Sequence, residues 1–240
     1  MKPPVALITG AAGGLGAALA KHLAQNGYAV AVHYRHSQRK AAATLSHITA
    51  RGGAAALFQA DLAVERDARR LVGKVAAKFH KIDLLINNSG TYREKNLASL
   101  SAEEWFEGLN STVTAAFFTT RAALPWLRKS ARARVINIGD AAADRVGARD
   151  LALSYHIGKT GALMLTKTLA QEAARHGVTV NMISPGCLEN SLILPDVKKI
   201  PAARYGTFDD IWNAVAFLLK PESNYLTGAN LIVSGGWNLR

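Results

Sequence analysis

Val5-Ala6-Leu7-Ile8-Thr9 runs straight into Gly10-Ala11-Ala12-Gly13-Gly14-Leu15-Gly16. A short strand-like run that ends in a glycine turn and opens a helical pattern is the first step of an alternating β/α chain. Glycines at 10, 14 and 16 let the chain turn tightly and let a pyrophosphate approach the N–H groups at a helix start. Their spacing is wider than the common dinucleotide fingerprint, and a glycine turn needed only for packing is the competing reading. The strand before it and the helix after it favour nucleotide binding, with Gly10, Gly14, Leu15 and Gly16 as the contacts.

Outward from this turn the pattern repeats. The spacing predicts strands near 5–9, 29–34, 54–60, 82–87, 133–138, 178–183 and 230–233, and helices near 14–26, 38–51, 64–80, 102–129, 153–176 and 208–219. Apolar runs such as Asp83-Leu84-Leu85-Ile86-Asn87 suit parallel strands covered on both faces. The expected fold is therefore a doubly wound, Rossmann-type α/β sheet, in which ligands bind beyond the carboxyl ends of the strands. No composition break or internal repeat divides the 240 residues, so one domain over 1–240 is expected.

Composition narrows the function. At 49% hydrophobic the chain is not disordered. The formal charge of +12 is scattered over apparent helix faces, with one cluster at Lys129–Arg134. No nucleic-acid motif accompanies it, so a solvated basic surface is the reading and no nucleic-acid partner is expected. Cys187 is the single cysteine, which suits a reducing compartment. The Val5–Thr9 run is too short for a signal or a membrane span, so the cytoplasm is expected, with no membrane partner. No metal site is expected.

Candidate site residues fall at strand ends. After strand two come Tyr34-Arg35-His36-Ser37, with no carboxylate to accept from a ribose 2′-hydroxyl. Arg35 offers a fixed charge and paired donors for a 2′-phosphate, and His36 and Ser37 add donors, so NADPH is favoured over NADH. After strand three, Asp61-Leu62 offers a carboxylate for an adenine amino group, or equally a helix cap. Asn88 and Gly90, after strand four, let the backbone approach a cofactor, and Pro185-Gly186 makes a sharp turn after strand six. Asn110 lies in an apolar helix and needs partners, as a structural bridge or in a proton-relay chain. Tyr155 and Lys159 are four apart on a helical pattern and share one face. A cation beside a phenol is expected to lower the phenol's pKa, which makes Tyr155 a usable proton donor and acceptor.

Taken in order, these motifs resemble the short-chain dehydrogenase/reductase family, over essentially the whole chain. The resemblance implies a seven-stranded sheet of order 3-2-1-4-5-6-7 and an NADPH cofactor. Tyr155 would then be the acid, Lys159 the residue holding the ribose, and Asn110 the anchor of a relay water. It also implies a dimer or tetramer formed through helices 102–129 and 153–176. The family's catalytic serine is missing: thirteen residues before Tyr155 stands Ala142, and Asp140 takes the strand-end position. Such an aspartate resembles pteridine reductases, as does the His33–Ser37 stretch, and Tyr92 could stack on a flat heterocycle. Reductases of 3-oxoacyl thioesters carry similar His33–Ser37 segments. The expected activity is NADPH-dependent reduction of a conjugated C=N or C=O, leaning to a pterin. A 3-oxoacyl thioester is the alternative, and a catalytically weak NADPH-binding sensor or scaffold the rival from another class. The short 187–200 segment is expected to lack a full lid helix.

Overall fold

In the computed structural model, residues 2–239 are described. Seven parallel strands form one sheet: β1 (Val5–Ile8), β2 (Ala29–Tyr34), β3 (Ala55–Gln59), β4 (Leu84–Asn87), β5 (Arg134–Ile138), β6 (Thr179–Pro185) and β7 (Asn230–Val233). Their order is β3-β2-β1-β4-β5-β6-β7, as the resemblance implied. Strands are added in one direction from β1 to β3 and in the other from β4 to β7, so the switch point opens above the carboxyl ends of β1 and β4, where Leu7 pairs with Leu85.

Period-two alternation splits the strands between two cores. Val5, Leu7, Ala31, Leu85 and Val135 face one side and pack with Leu71, Val72 and Val75 of α3 (Glu65–Phe79) and Leu127 of α5 (Ala115–Leu127). Ala6, Ile8, Val30, Val32, Ile86 and Ile136 face the other. There they meet Leu19 and Leu23 of α1 (Gly14–Gln25), Ile48 of α2 (Gln38–Thr49), and Ile211, Val215 and Leu218 of α7 (Phe208–Leu219). Each such leucine or isoleucine contributes roughly 1.5–3 kcal/mol of burial. A charge at fully buried Leu85 would therefore break both the strand and its covering layer.

Helix ends follow the chemistry of their first turns. Ser101 and Glu104 form a capping box that starts α4 (Ala102–Leu109), and Thr207 and Asp210 do the same for α7. By contrast the residue before α1 is Gly13, which gives no side-chain cap and leaves the first N–H groups of the helix for other partners.

The long helix expected over 102–129 is interrupted. A π turn occupies Asn110–Thr114 between α4 and α5. Thr112 Oγ1 donates back to Gly108 O at 2.6 Å within this stretch, a side-chain bond that competes with regular helical pairing. The extra residue turns Asn110 and Thr112 to different surroundings, which matters for the site.

Candidate active site

The glycine turn is closed by a clamp. Asn88 Nδ2 donates to Thr9 O and Gly10 O, while Thr9 Oγ1 accepts from the N–H groups of Asn88 and Ser89. Gly10 has φ +64, and a Cβ on Gly16 would overlap the Gly10 carbonyl. Glycine is thus required at both positions by backbone approach alone. From beneath, His33 Nδ1 accepts from Gly10 N–H at 3.1 Å while Nε2 faces Ala60 O at 3.2 Å. That pairing defines an Nε2–H tautomer tying the turn to β2 and the end of β3. Burial pushes His33 down to about 4, which keeps it neutral. His33 was visible in the sequence, but nothing there marked it as the prop of the turn.

Above the strand ends lies a crevice of about 680 Å³. Gly10, Gly13, Leu15, Gly16, Asn88 and Gly90 line one end of it, and Asp140, Tyr155, His156, Lys159, Pro185 and Gly186 line the middle. Gly14 faces the outer side of the turn. Tyr155 and Lys159 sit on α6 (Leu153–Ala173), the ammonium 5.4 Å from the phenol ring centre. Lys159 Nζ donates to Ile138 O at 2.6 Å, which fixes it at the end of β5.

The charge balance differs from the expectation. Burial pushes the Tyr155 phenol above its usual value, and the Asp140 carboxylate and Tyr92 add to the rise. Burial also lowers Lys159 to about 8, partly opposed by Asp140. The expected lowering of the phenol by its neighbour is thereby overturned in the protein alone: desolvation outweighs the cation. Tyr155 holds its proton near neutral pH, which is the state a proton donor needs.

Asp140 Oδ1 accepts from Ala142 N–H at 2.8 Å, so this carboxylate closes a turn and faces the crevice at once. Tyr92 meets Tyr155 edge-on at 5.2 Å and His156 at 6.1 Å, which builds an aromatic wall. Arg149 donates to Ala142 O and Arg145 O, holding the loop between Asp140 and α6 against the crevice. Ser191 Oγ accepts from Leu188 N–H after the Pro185-Gly186 turn, and Asn190 reaches back towards Gly14. Among the described residues, the 187–200 segment contains one short 3-10 turn, Val197–Lys199, and no longer helix.

The second pocket beyond β2 and β3 is lined by Arg35, Asp61, Leu62, His33 and Gly90. Arg35 and Asp61 form an ion pair at 3.0 Å, so the two candidates hold each other. Tyr34 is a correction. It is buried in the core of the α1–α2 side and offers this pocket no ring. His36 and Ser37 are exposed at the start of α2 and line neither pocket.

Asn110 stands in the π turn rather than in an unbroken helix. It lines the outer pocket with Arg93 and Glu107, themselves paired at 2.8 Å. The small cavity against Lys159 is lined instead by Thr112, with Asn87, Asn137 and Ala116. Thr112, two residues further along the π turn, is the residue of this stretch that lines that cavity.

A doubly wound sheet with a glycine turn at its switch point is the architecture of dinucleotide-binding enzymes. The profile of the short chain dehydrogenase family (adh_short) matches residues 4–198. A 3-oxoacyl-[acyl-carrier-protein] reductase FabG of Staphylococcus aureus is 34% identical over 239 residues, covering 96% of each chain. A 3-oxoacyl-[acyl-carrier-protein] reductase of Synechocystis is 36% identical, covering 97% of this chain and 96% of the other. A short chain dehydrogenase from Burkholderia cenocepacia, solved in complex with NADP, superposes with a TM-score of 0.91 at 32% identity over 98% of both chains. The chain belongs to the short-chain dehydrogenase/reductase family and is an oxidoreductase.

Proposed function

We propose that this chain is an NADPH-dependent reductase acting on a conjugated C=N of a flat, pterin-type heterocycle, with Tyr155 as the proton donor. The residues suit the cofactor. The uncapped start of α1 offers free N–H groups to a pyrophosphate, and Asp61 and Leu62 flank a pocket for adenine. Arg35 supplies a cation for a 2′-phosphate, and the structural relatives solved with NADP and NADPH support the same choice.

A bound nicotinamide would supply the hydride, and the protein's part is positioning and proton supply. Lys159, anchored on Ile138 O, is placed to hold the ribose. Tyr155 keeps its proton until charge develops on the substrate nitrogen, then gives it up there. Carbon gains the hydride and nitrogen the proton.

Asp140 carries the substrate reading. A hydroxyl at that place would donate to a developing alkoxide, whereas a carboxylate repels one and accepts from a heterocycle N–H. Tyr92, stacked edge-on against Tyr155, offers a ring for a planar substrate. The full-length identity to 3-oxoacyl-[acyl-carrier-protein] reductases supports a second reading, reduction of a 3-oxoacyl thioester.

NADPH consumption with dihydrobiopterin and with an acetoacetyl thioester separates the readings, in wild type and Asp140→Ser. We expect pterin turnover in wild type and a fall of at least about tenfold in the variant, the scale of one charged hydrogen bond. Thioester turnover alone would establish the second reading. Tight NADPH binding without turnover on either would mark a sensor or scaffold.

One NADPH-binding domain over 1–240 in the reducing cytoplasm suits the single cysteine and a chain with no helix long and apolar enough to span a membrane among the described residues. Exposed Phe106, Phe117, Ile157 and Met164, on the segments expected to pair, support a dimer or tetramer, which light scattering reads directly.

A further inference from the structure

Behind Lys159, on the side away from the crevice, lies a cavity of about 10 Å³ lined by Thr9, Asn87, Ser89, Thr112, Asn137 and Lys159, with Ala116 and Ala162 closing it. That is about the space one water requires.

A chain of hydrogen bonds fixes the polarity of its wall. Thr166 Oγ1 donates to Ala162 O at 2.7 Å, so it can only accept from Asn137 Nδ2, at 2.8 Å. Asn137 Oδ1 then accepts from Asn87 Nδ2, at 2.8 Å, and the second Asn87 N–H goes to Thr120 Oγ1, at 2.9 Å. Both amide protons of Asn87 are spent. Its Oδ1 is left buried with no donor from the protein, on a residue only 6% exposed. Flipping the amide would set two carbonyl oxygens, Asn87 Oδ1 and Asn137 Oδ1, against each other, so the orphan oxygen is imposed by the helix carbonyl three links away. A buried acceptor of this kind costs about 1–3 kcal/mol unless something donates to it.

We infer that a single buried water occupies this cavity, donating to Asn87 Oδ1 and accepting from Lys159 Nζ–H, and that Asn87 is a positioning residue that holds the Lys159 ammonium through it. This rests on the reading of Lys159 as a working part of the site. Lys159 then has a partner on each side: Ile138 O and the water from the protein, and the crevice for substrate and cofactor.

Desolvation lowers Lys159 to about 8, so a further acceptor for its protons decides its charge near neutral pH. The titratable and charged groups at this end of the crevice are Asp140 after β5, Tyr92 after β4, Cys187 after β6, Tyr155 and His156 on α6, and Arg149 in the loop before it. Asp140 is the one that raises Lys159. None of them lines the small cavity.

Two variants test the water. Ala116→Val fills the cavity with added methyl groups and removes no hydrogen bond; Asn87→Leu keeps the side-chain shape and removes the acceptor. The readout is the pH midpoint of Lys159 by side-chain NMR in cofactor-free protein, which does not depend on substrate or turnover. Both variants should lower the midpoint by about one pH unit, a tenfold loss of proton affinity. A high-resolution crystal structure of wild type should place a water within hydrogen-bond reach of both Nζ and Oδ1. A dry cavity, or an unchanged midpoint in folded Ala116→Val, would overturn the inference. If Asn87→Leu does not fold, Ala116→Val decides alone. Loss of the midpoint shift leaves the reductase reading intact, whereas absence of turnover in wild type leaves the water intact.

Discussion

Lowering the pH from 8 to 5 should weaken this protein at one deeply buried residue, His33. It is 2% exposed, and burial holds it at about 4 against an ordinary 6.5. The folded chain therefore keeps His33 neutral while the unfolded chain takes up a proton. Because the folded value is the depressed one, the stability at stake is complete above 6.5. It declines as the pH falls from 6.5 towards 4 and does not change further below that. The whole window is worth about 3 kcal/mol at 1.36 kcal/mol per pH unit, and about 2 kcal/mol of it is lost by pH 5. Such a loss is a large share of the roughly 5–15 kcal/mol that holds a typical domain together. The perturbation to compare is His33→Gln, whose amide can still accept from Gly10 N–H and donate to Ala60 O but does not titrate. Urea unfolding at pH 8 and pH 5 should show wild type losing about 2 kcal/mol more than His33→Gln. NADPH affinity of the folded protein should hold through this window and fall only as the pH nears 4, where His33 itself takes up a proton and Gly10 N–H loses its acceptor. Parallel losses in the two proteins would refute the reasoning, since they would mean that His33 titrates alike folded and unfolded.

Other expectations follow from single contacts. Gly158→Ala places a methyl group against Thr112 Oγ1 in a buried helix contact, and should cost about 1–3 kcal/mol by thermal unfolding. Arg35→Ala should raise the NADPH dissociation constant at least about tenfold and leave NADH nearly unchanged, measured by fluorescence titration. Asp61→Asn works in the opposite direction: it releases Arg35 from its 3.0 Å ion pair, and should tighten NADPH severalfold.

The sheet was legible because buried parallel strands leave unbroken apolar runs and their ends carry the polar residues. Each expected strand lies within a residue or two of the observed one. β6 runs two residues further, through Ser184-Pro185, where Pro185 pairs with Val233 of the edge strand β7. Tyr155 and Lys159 were legible too, since four residues of helix bring them to one face. What could not be read is whatever depends on burial or on pairing between distant segments. Nothing in the order of residues shows that desolvation would raise Tyr155 and lower Lys159 together. The Arg35–Asp61 pair joins the ends of β2 and β3, whereas Arg35 was read as free for a ligand and Asp61 as a ligand contact or a helix cap. Tyr34 looked like part of a polar strand end, yet the alternation of β2 sends its ring into the core. Asn110 was read as an amide inside an unbroken apolar helix, and the π turn interrupts that helix there. A Thr112 hydroxyl able to bond back to Gly108 was the one local signal of that turn.

The central claim is that Tyr155 delivers the proton while NADPH is bound beside it. Single-turnover oxidation of NADPH, with the reducible substrate saturating, compares wild type with Tyr155→Phe most directly. The rate should fall by about 10²–10⁴-fold with NADPH affinity unchanged, the range for losing a positioned general acid. An unchanged rate in Tyr155→Phe would contradict the claim.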